Sequence, residues 1–536
     1  MDSTLFPGCH VKHILRVFLS LLSFFALCPR FLCAADCGSL KSLRLEDTTI
    51  SAAEPVTGGV LALSGSHPSI AGLPAFCRVT GILRPTSDSA IRFEVWLPEH
   101  DWNGKFVGAG NGGFAGSIGY DELANYLKRN FAVAGSDAGH QTEATDASWA
   151  YQHPEKVKDF GWRAVHLTRL RAAEIITAYY GKHDQKAYFD SCSDGGREAL
   201  MEAQRFPDDY NGILAGAPAN AWSTMVGSAV YLMQARETDP RAYFSDLKLP
   251  AIQKASLEAC DALDGVKDGI INDPSKCHFD PQILLCKGEE TLECLTAPQI
   301  ATLRSIYNGA GDPQGKTIFP GFTPGDEIGW REWVIGQDPT GPSAFRYVEN
   351  YFRYIVTGNP KWTELTADPA ASLRQSREKA AADLDSTNAD LGKFAANGGK
   401  LILYHGWNDQ AISPWNTVDY YKSVQQEMGT EKAESFVRLY MAPGVEHCVG
   451  GPGPSFFGQF GLETAKGSKY GLFESLVDWV EKGSPDDEIT ATKYAPDEKG
   501  TMKVVMTRPL CAYPKVVKYS GSGDTNDAAS FTCAAP

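Results

Sequence analysis

A strand candidate that turns sharply into a helix candidate is the feature that most constrains this chain. Ala187–Asp190 is apolar and strand-like, the helix is predicted over Arg197–Phe206, and Ser193 lies between them in YFDSCSDGGR. A nucleophile elbow exposes its serine on such a turn above a mostly parallel sheet, usually within the pattern G-x-S-x-G. Ser191 replaces the first glycine here. The turn alone therefore also permits an ordinary strand-to-helix turn with a capping serine, or Cys192 as the nucleophile.

The segments around this turn alternate between strand and helix patterns, and this indicates an α/β fold with a mostly parallel sheet covered on both faces. Between Asn220 and Asn397 the alternation is lost, which predicts a sheet domain over 36–219 and 398–536 with an insertion over 220–397. The segments that carry the pattern are the strands Ile91–Leu97, Lys105–Gly108, Phe131–Ser136, Lys400–Tyr404 and Ser435–Tyr440, and the helices Trp162–Tyr180 and Tyr470–Lys482.

Two further polar residues follow strands in the chain order that a serine triad of this fold requires. The order is serine, then an acid, then histidine. Asp409 follows the strand Lys400–Tyr404 and His447 follows Ser435–Tyr440, so both belong to loops at the carboxyl edge of the sheet. Ser193, Asp409 and His447 are therefore the predicted catalytic triad. The competing acids and histidines are Asp137, Asp190, His140 and His405, of which Asp137 and His140 precede the serine.

Cysteines flank two of these residues. Cys192 precedes Ser193 and Cys448 follows His447. A serine and a histidine that exchange a proton approach to about 3 Å, and a disulfide needs Cα atoms about 4.4–6.8 Å apart. We therefore predict a Cys192–Cys448 disulfide that ties the nucleophile to the base.

A glycine-rich loop, Gly108–Gly116 (GAGNGGFAG), follows the strand at Lys105. Acyl transfer needs N–H donors for the oxyanion, and we predict that of Asp194 and one from Gly112 or Gly113. Phosphate binding is the alternative function for this loop, but the loop lacks the G-K-[ST] ending.

The N-terminal segment 1–35 is predicted to be a secretory signal peptide. Lys12 and Arg16 precede the apolar run Val17–Cys28, and small residues follow at Ala34 and Ala35. A membrane anchor is the alternative, but the run is short of the ~20 residues that a spanning helix needs. A secreted or periplasmic protein with no membrane attachment after cleavage is expected.

The cysteine count agrees with export, and the net charge limits the class of partner. Of thirteen cysteines, ten lie beyond the signal segment, an even number that suggests disulfides. They do not have the spacing of zinc ligands. The net charge of −15 argues against a nucleic-acid partner, because phosphate would be repelled.

The combined motifs resemble the tannase and feruloyl esterase family, which also contains the bacterial mono(2-hydroxyethyl) terephthalate hydrolase. The resemblance lies in Cys192–Gly196, in Gly406–Asp409, in His447-Cys448 and in an Asp-rich loop. It implies an α/β-hydrolase core whose insertion is a lid domain. It also implies four more disulfides, namely Cys37–Cys77, Cys260–Cys277, Cys286–Cys294 and Cys511–Cys533.

The Asp-rich loop Asp261–Ile271 (DALDGVKDGII) carries three carboxylates and two glycines that allow a sharp curl. Oxygen ligands in such a loop suit Ca²⁺, although Asn272 stands where an EF-hand has its bidentate glutamate. A solvated acidic turn is the alternative. The resemblance implies a structural Ca²⁺ in the lid, held by side chains of Asp261, Asp264 and Asp268 and by the carbonyls of Val266 and Ile270.

The resulting expectation is a secreted serine esterase that acts on small-molecule esters of aromatic acids, such as feruloyl or galloyl esters, through an acyl-enzyme. Trp330, Trp333 and Phe345 are candidate walls for the aromatic ring. Terephthalate monoesters are an alternative substrate, for which Arg331 or Arg346 would bind the free carboxylate. A calcium-dependent exported binding protein with a vestigial triad is the alternative of another class.

Overall fold

A sheet of nine strands organises the protein. The computed structural model describes residues 35–536 except 64–67, 238, 313, 337–340, 463 and 465–470. The predicted signal peptide therefore lies outside the described residues, apart from its last position. The strands of the described residues are β1 (Thr48–Val56), β2 (Gly59–Leu61), β3 (Ile70–Leu73), β4 (Phe76–Leu83), β5 (Ile91–Pro98), β6 (Lys105–Ala109), β7 (Ala132–Ser136), β8 (Lys186–Cys192), β9 (Gly212–Gly216), β10 (Ala310–Gly311), β11 (Thr317–Phe319), β12 (Lys400–Gly406), β13 (Val437–Ala442), β14 (Glu488–Pro496), β15 (Met502–Cys511), β16 (Val516–Tyr519) and β17 (Phe531–Ala534).

The order of the main sheet is β1-β4-β5-β7-β6-β8-β9-β12-β13. Strand β4 pairs antiparallel with β1 and with β5, and β5 pairs antiparallel with β7. From β7 to β13 every neighbouring pair is parallel. Strands β8 and β9 are buried along almost their whole length, as expected of parallel strands covered on both faces. This confirms the predicted α/β class.

The α-helices of the described residues are α1 (Tyr120–Leu127), α2 (Pro154–Lys158), α3 (Ala164–Tyr180), α4 (Asp194–Arg205), α5 (Trp222–Glu237), α6 (Leu249–Cys260), α7 (Ala297–Asn308), α8 (Ser343–Asn350), α9 (Pro369–Leu384), α10 (Gly392–Ala396), α11 (Pro414–Met428), α12 (Thr430–Glu434) and α13 (Leu472–Lys482). Helix α4 begins three residues before the predicted start at Arg197 and includes Gly195 and Gly196. Glycine is a poor helix former, but a Cβ on Gly196 would collide with the Gly216 carbonyl of β9. The close approach of α4 to β9 therefore outweighs the low helix propensity of glycine.

The whole predicted insertion, 220–397, lies along the chain between β9 and β12, which are neighbours in the sheet. Its described residues add no strand to the main sheet and form only the short pair β10–β11. They bury a cluster of their own around Leu303 and Trp330, while Tyr347 and Phe352 join the core beneath the sheet. The insertion agrees with the loss of alternation in the sequence; the boundaries 219/220 and 397/398 stay a prediction.

Five disulfides join the same cysteines that the sequence analysis paired. Cys192–Cys448 bridges positions 256 residues apart, with Cα atoms 6.0 Å from each other. Among the residues that the structure describes, no helix combines the length and the apolar character needed to cross a bilayer.

Candidate active site

Ser193 lies at the junction of β8 and α4 with a positive φ of 67°. Such backbone is strained for a residue with a side chain, and it lifts the hydroxyl out of the sheet edge. A Cβ on Gly195 would collide with the Ser191 side chain, so the turn needs glycine there. The Ser193 N–H donates to the Gly216 carbonyl at 3.0 Å, which fixes the turn to β9.

The three predicted triad side chains form one chain of hydrogen bonds. His447 Nε2 is 2.8 Å from Ser193 Oγ, and His447 Nδ1 is 2.7 Å from Asp409 Oδ2. Asp409 Oδ1 accepts the N–H groups of Ala411 and Ile412 at 2.7 and 2.8 Å. The geometry allows His447 to take a proton from Ser193 while Asp409 fixes the ring orientation.

The charges of Asp409 and a protonated His447 stabilise each other. Burial alone would raise the pKa of Asp409, but the His447 charge and hydrogen bonds from His405 and His447 hold that pKa well below its ordinary value. Burial would lower the pKa of His447, but the Asp409 charge and hydrogen bond outweigh it and raise the pKa above 6.5. Asp409 is therefore ionised and stabilises a protonated His447.

His405 was a competitor in the sequence and takes a different place in the structure. It is completely buried, with Nε2 3.0 Å from Asp409 Oδ2 and Nδ1 2.7 Å from Thr417 Oγ1. It thus supports Asp409 at the same carboxylate oxygen, Oδ2, that His447 contacts. The sequence reasoning missed this role, although the i, i+4 spacing of His405 and Asp409 beyond a strand was visible.

The other competitors make their hydrogen bonds with groups other than Ser193. His140 bonds the Phe114 carbonyl through Nε2 and stacks on Trp149. Asp137 accepts the N–H groups of Arg92 and Gly139. Asp190 accepts from Tyr126 and from the Phe460 N–H below the turn.

The loop that carries His447 is held at several points. The His447 N–H donates to Gln410 Oε1 at 3.1 Å, and Cys448 is tied to Cys192. A Cβ on Gly406 would collide with the Val445 carbonyl, so β12 and this loop touch through backbone. The fold thus brings the base to Ser193 through close backbone contacts and a covalent bond.

The predicted oxyanion donors face the same cavity as Ser193. Gly112, Gly113 and Asp194 all line it. Within the part of the chain that the structure describes, their N–H groups donate to no protein acceptor. They are therefore free to bind a substrate oxygen. Asp194 turns its side chain away to Arg197, 2.6 Å distant and fully buried.

The cavity has a volume of about 860 Å³, and its aromatic wall includes Trp222, Trp333 and Tyr347. Trp333 lies where the sequence analysis placed it. Trp330 does not line the cavity: it is buried in the insertion's own core near Tyr307, which corrects that expectation.

Phe345 lines an adjoining apolar cavity of about 160 Å³ rather than the cavity of Ser193, a second correction. Of the two arginines considered for a carboxylate, Arg331 lines the main cavity and pairs with Asp246 at 3.1 Å. Arg346 is outside that lining and donates to Ser343.

An acid pair beside His447 was not expected from the sequence. Asp326 of the insertion and Glu446 both face Gly329, where a Cβ would lie 2.9 Å from Glu446 Oε1 and 3.3 Å from Asp326 Oδ2. Burial first, and then Glu446, raises the pKa of Asp326 to about 8. The two neighbouring carboxyl groups thus bring the insertion next to the histidine loop.

The Asp-rich loop offers carboxylate and carbonyl oxygens, the ligand types that Ca²⁺ prefers. Burial first, and then the charges of Asp268 and Asp261, raises the pKa of Asp264 despite Arg508. The carbonyls of Val266 and Ile270 accept no hydrogen bond from any described residue. Asp268 also pairs with Arg508 at 2.8 Å. Two free carbonyls beside mutually repelling carboxylates fit a hard cation.

A second group of possible ligands, His166, Glu202 and Asp209, has its donor atoms within 4.8 Å of one another. His166 Nδ1 is 2.7 Å from Asp209 Oδ2. Burial first, and then Asp209, raises the pKa of Glu202 well above its ordinary value. Within this group His166 and Asp209 therefore pair with each other, beside the buried carboxyl of Glu202.

A parallel sheet with a sharp strand-to-helix turn at β8, and with acid and histidine loops after later strands, defines the α/β-hydrolase class. The family model described as tannase and feruloyl esterase matches residues 77–534. The chain therefore belongs to the tannase and feruloyl esterase family, and it is a carboxylic ester hydrolase.

Individual relatives agree with this assignment. An uncharacterised esterase of Xanthomonas campestris is 38% identical, over 97% of this chain and 95% of that protein. A probable feruloyl esterase B-2 of Aspergillus flavus is 35% identical, over 82% and 83%. The crystal structure of feruloyl esterase B from Aspergillus oryzae has a TM-score of 0.84 at 28% identity and covers 93% of this chain and 99% of that one.

Proposed function

We propose that this protein hydrolyses esters of phenolic aromatic acids, such as feruloyl or galloyl esters, through an acyl-enzyme on Ser193. His447 Nε2 takes the Ser193 proton as Oγ attacks the carbonyl, and it then protonates the leaving alcohol. Water, activated by the same nitrogen, attacks the acyl-enzyme and releases the acid. Asp409 orients His447 throughout, and the N–H groups of Asp194 and Gly112 or Gly113 bind the oxyanion.

The observation that carries this proposal is the continuous Ser193–His447–Asp409 hydrogen-bond chain that opens on a cavity with aromatic walls. Aromatic side chains bury a planar ring with large apolar area, and Trp333 and Tyr347 offer such surfaces. The names of the relatives, feruloyl esterase B among them, favour an aromatic acyl group.

We further propose a structural Ca²⁺ on Asp261, Asp264 and Asp268 with the Val266 and Ile270 carbonyls. When bound, it would supply positive charge that neutralises the three carboxylates and orders the loop. Export through segment 1–35 is also part of the proposal, because five disulfides suit an oxidising compartment. An N-terminal sequence of the exported protein that still contains the apolar run would contradict it.

The test is hydrolysis of methyl ferulate, methyl gallate and a terephthalate monoester by the wild-type protein and Ser193→Ala. We expect turnover of a phenolic ester and a fall in kcat of about 10³-fold or more in the variant, because the nucleophile is lost. Ser475→Ala is the matched control, since Ser475 is buried in α13 away from the cavity.

Two results would overturn the proposal. Unchanged activity in Ser193→Ala would exclude this nucleophile, and inactivity on the whole panel would favour a binding protein. Turnover of the terephthalate monoester alone would replace the substrate class but keep the mechanism. A slow ester should also leave an acyl adduct on Ser193 that mass spectrometry can locate.

A further inference from the structure

Asn111, the residue before Gly112, is fixed more firmly than its position in a glycine-rich loop suggests. Its side-chain amide donates to the Ser117 and Ser136 carbonyls at 2.8 and 2.9 Å. Its own carbonyl accepts the Gly195 N–H at 2.7 Å. Three hydrogen bonds therefore join this part of the glycine-rich loop to Ser117, to β7 and to the first turn of α4.

The fourth contact of Asn111 comes from a carboxyl group. The Asn111 N–H donates to Glu198 Oε2 at 2.9 Å, and Glu198 is 1% exposed. A Cβ on Gly110 would lie 2.5 Å from the same oxygen, so the loop backbone lies directly on this side chain. Glu198 belongs to α4, one turn beyond Asp194. Its carboxyl thus contacts the backbone directly before the predicted donor Gly112, and it does not line the cavity of Ser193.

We propose that Glu198 is a positioning residue that fixes Asn111, through the bond from its N–H, and thereby the adjacent Gly112 N–H for the oxyanion. This inference rests on the proposed function. Glu198 touches no substrate atom; it acts through the backbone of the loop. Because oxyanion donors act only when they are held in advance, a loose Gly110–Gly113 segment would cost rate rather than substrate affinity.

The surroundings of Glu198 favour the neutral form of its carboxyl group. The groups that face Glu198 are Asp194, Arg197 and Glu202 of α4, and Tyr210 before β9. Burial first, and then the Asp194 charge, raises the pKa of Glu198 well above its ordinary value, against Arg197 and the Asn111 N–H. An ionised carboxylate next to the residue before Gly112 would repel the negative charge that develops on the substrate oxygen. A neutral acid keeps the acceptor atom without that cost.

The test compares Glu198→Gln with Glu198→Leu. Glutamine keeps an oxygen for the Asn111 N–H and cannot ionise, so kcat should stay within about threefold of wild type. Leucine has a similar volume but no acceptor, so kcat should fall by about 10- to 10²-fold with KM nearly unchanged, below the 10²–10³-fold cost of deleting a donor. As pH rises through the pKa of Glu198, wild-type kcat should fall, whereas Glu198→Gln should keep its activity.

Glu202→Gln and Glu202→Leu are the matched controls, because Glu202 is a buried acid one turn further along α4 that faces Asp209 instead of the loop. They should change thermal stability without the fall in kcat. Equal loss in Glu198→Gln and Glu198→Leu would overturn the neutral-acid role, as would an alkaline fall that glutamine does not remove. Wild-type kcat in Glu198→Leu would overturn the positioning role. If Glu198→Leu does not fold, the pH profile of Glu198→Gln still tests the role of Glu198. Unchanged activity in Ser193→Ala would separately show that the proposed function is wrong.

Discussion

At the scale of single residues, the charge of Asp409 controls the proton affinity of His447. Because the His447 pKa is raised above 6.5, activity should fall on the acid side as His447 becomes protonated below that raised pKa. Asp409→Asn removes the charge, so the acid limb should move to lower pH while kcat falls by about 10³- to 10⁴-fold. Profiles of kcat/KM against pH for both proteins measure the shift. An unmoved limb would show that another group sets it.

Residues differ in how far the sequence could predict them. Ser193, Asp409 and His447 could be found because chain order and strand ends are local signals. The support of Asp409 by His405 and the Asp326–Glu446 pair depend on which loops meet, which no local pattern records. Trp330 was misplaced because an aromatic residue in an insertion gives no indication of which side it faces.

At the scale of elements, the Cys192–Cys448 bond joins the β8–α4 turn to the loop after β13. Cys192→Ser/Cys448→Ser should lower the melting temperature, since a disulfide closing 256 residues removes about 5–6 kcal/mol of unfolded-chain entropy in the simplest treatment. It should also lower kcat, because His447 loses one of its anchors. Cys511→Ser/Cys533→Ser is the control that should lower stability alone. Equal kcat in the two double variants would refute a special role for the first bond.

Element types followed from periodicity, but element ends did not. Helix α3 begins at Ala164 and follows a π-helical turn over Asp159–Arg163. The predicted helix began at Trp162, so it included the last two residues of that turn. Helix α4 takes in two glycines because the sheet requires a close approach. In both places tertiary contacts outweigh the local conformational preference of the residues. A sequence pattern indicates only that local preference.

At the scale of the whole molecule, the Asp-rich loop connects the insertion to the site. Ile270 is buried, and a Cβ on Gly444 would lie 3.2 Å from its side chain, three residues before His447. Arg508 of β15 holds Asp268 from another direction. The family resemblance implied a structural role for this loop in the lid, but Ile270 at its end also contacts the loop that carries His447.

Removal of Ca²⁺ should therefore affect both stability and turnover. A ligand that binds only the folded state at about 100 times its Kd adds about 2.7 kcal/mol, so chelation should lower the melting temperature and added Ca²⁺ should restore it. Turnover should fall with it, because Ile270 no longer holds the backbone at Gly444 in place. Asp264→Asn should lose the response, whereas Asp280→Asn, at an exposed acid outside the loop, should keep it. Scanning calorimetry with and without chelator, read beside kcat, measures both effects, and an identical melting temperature in the two conditions would refute the calcium site.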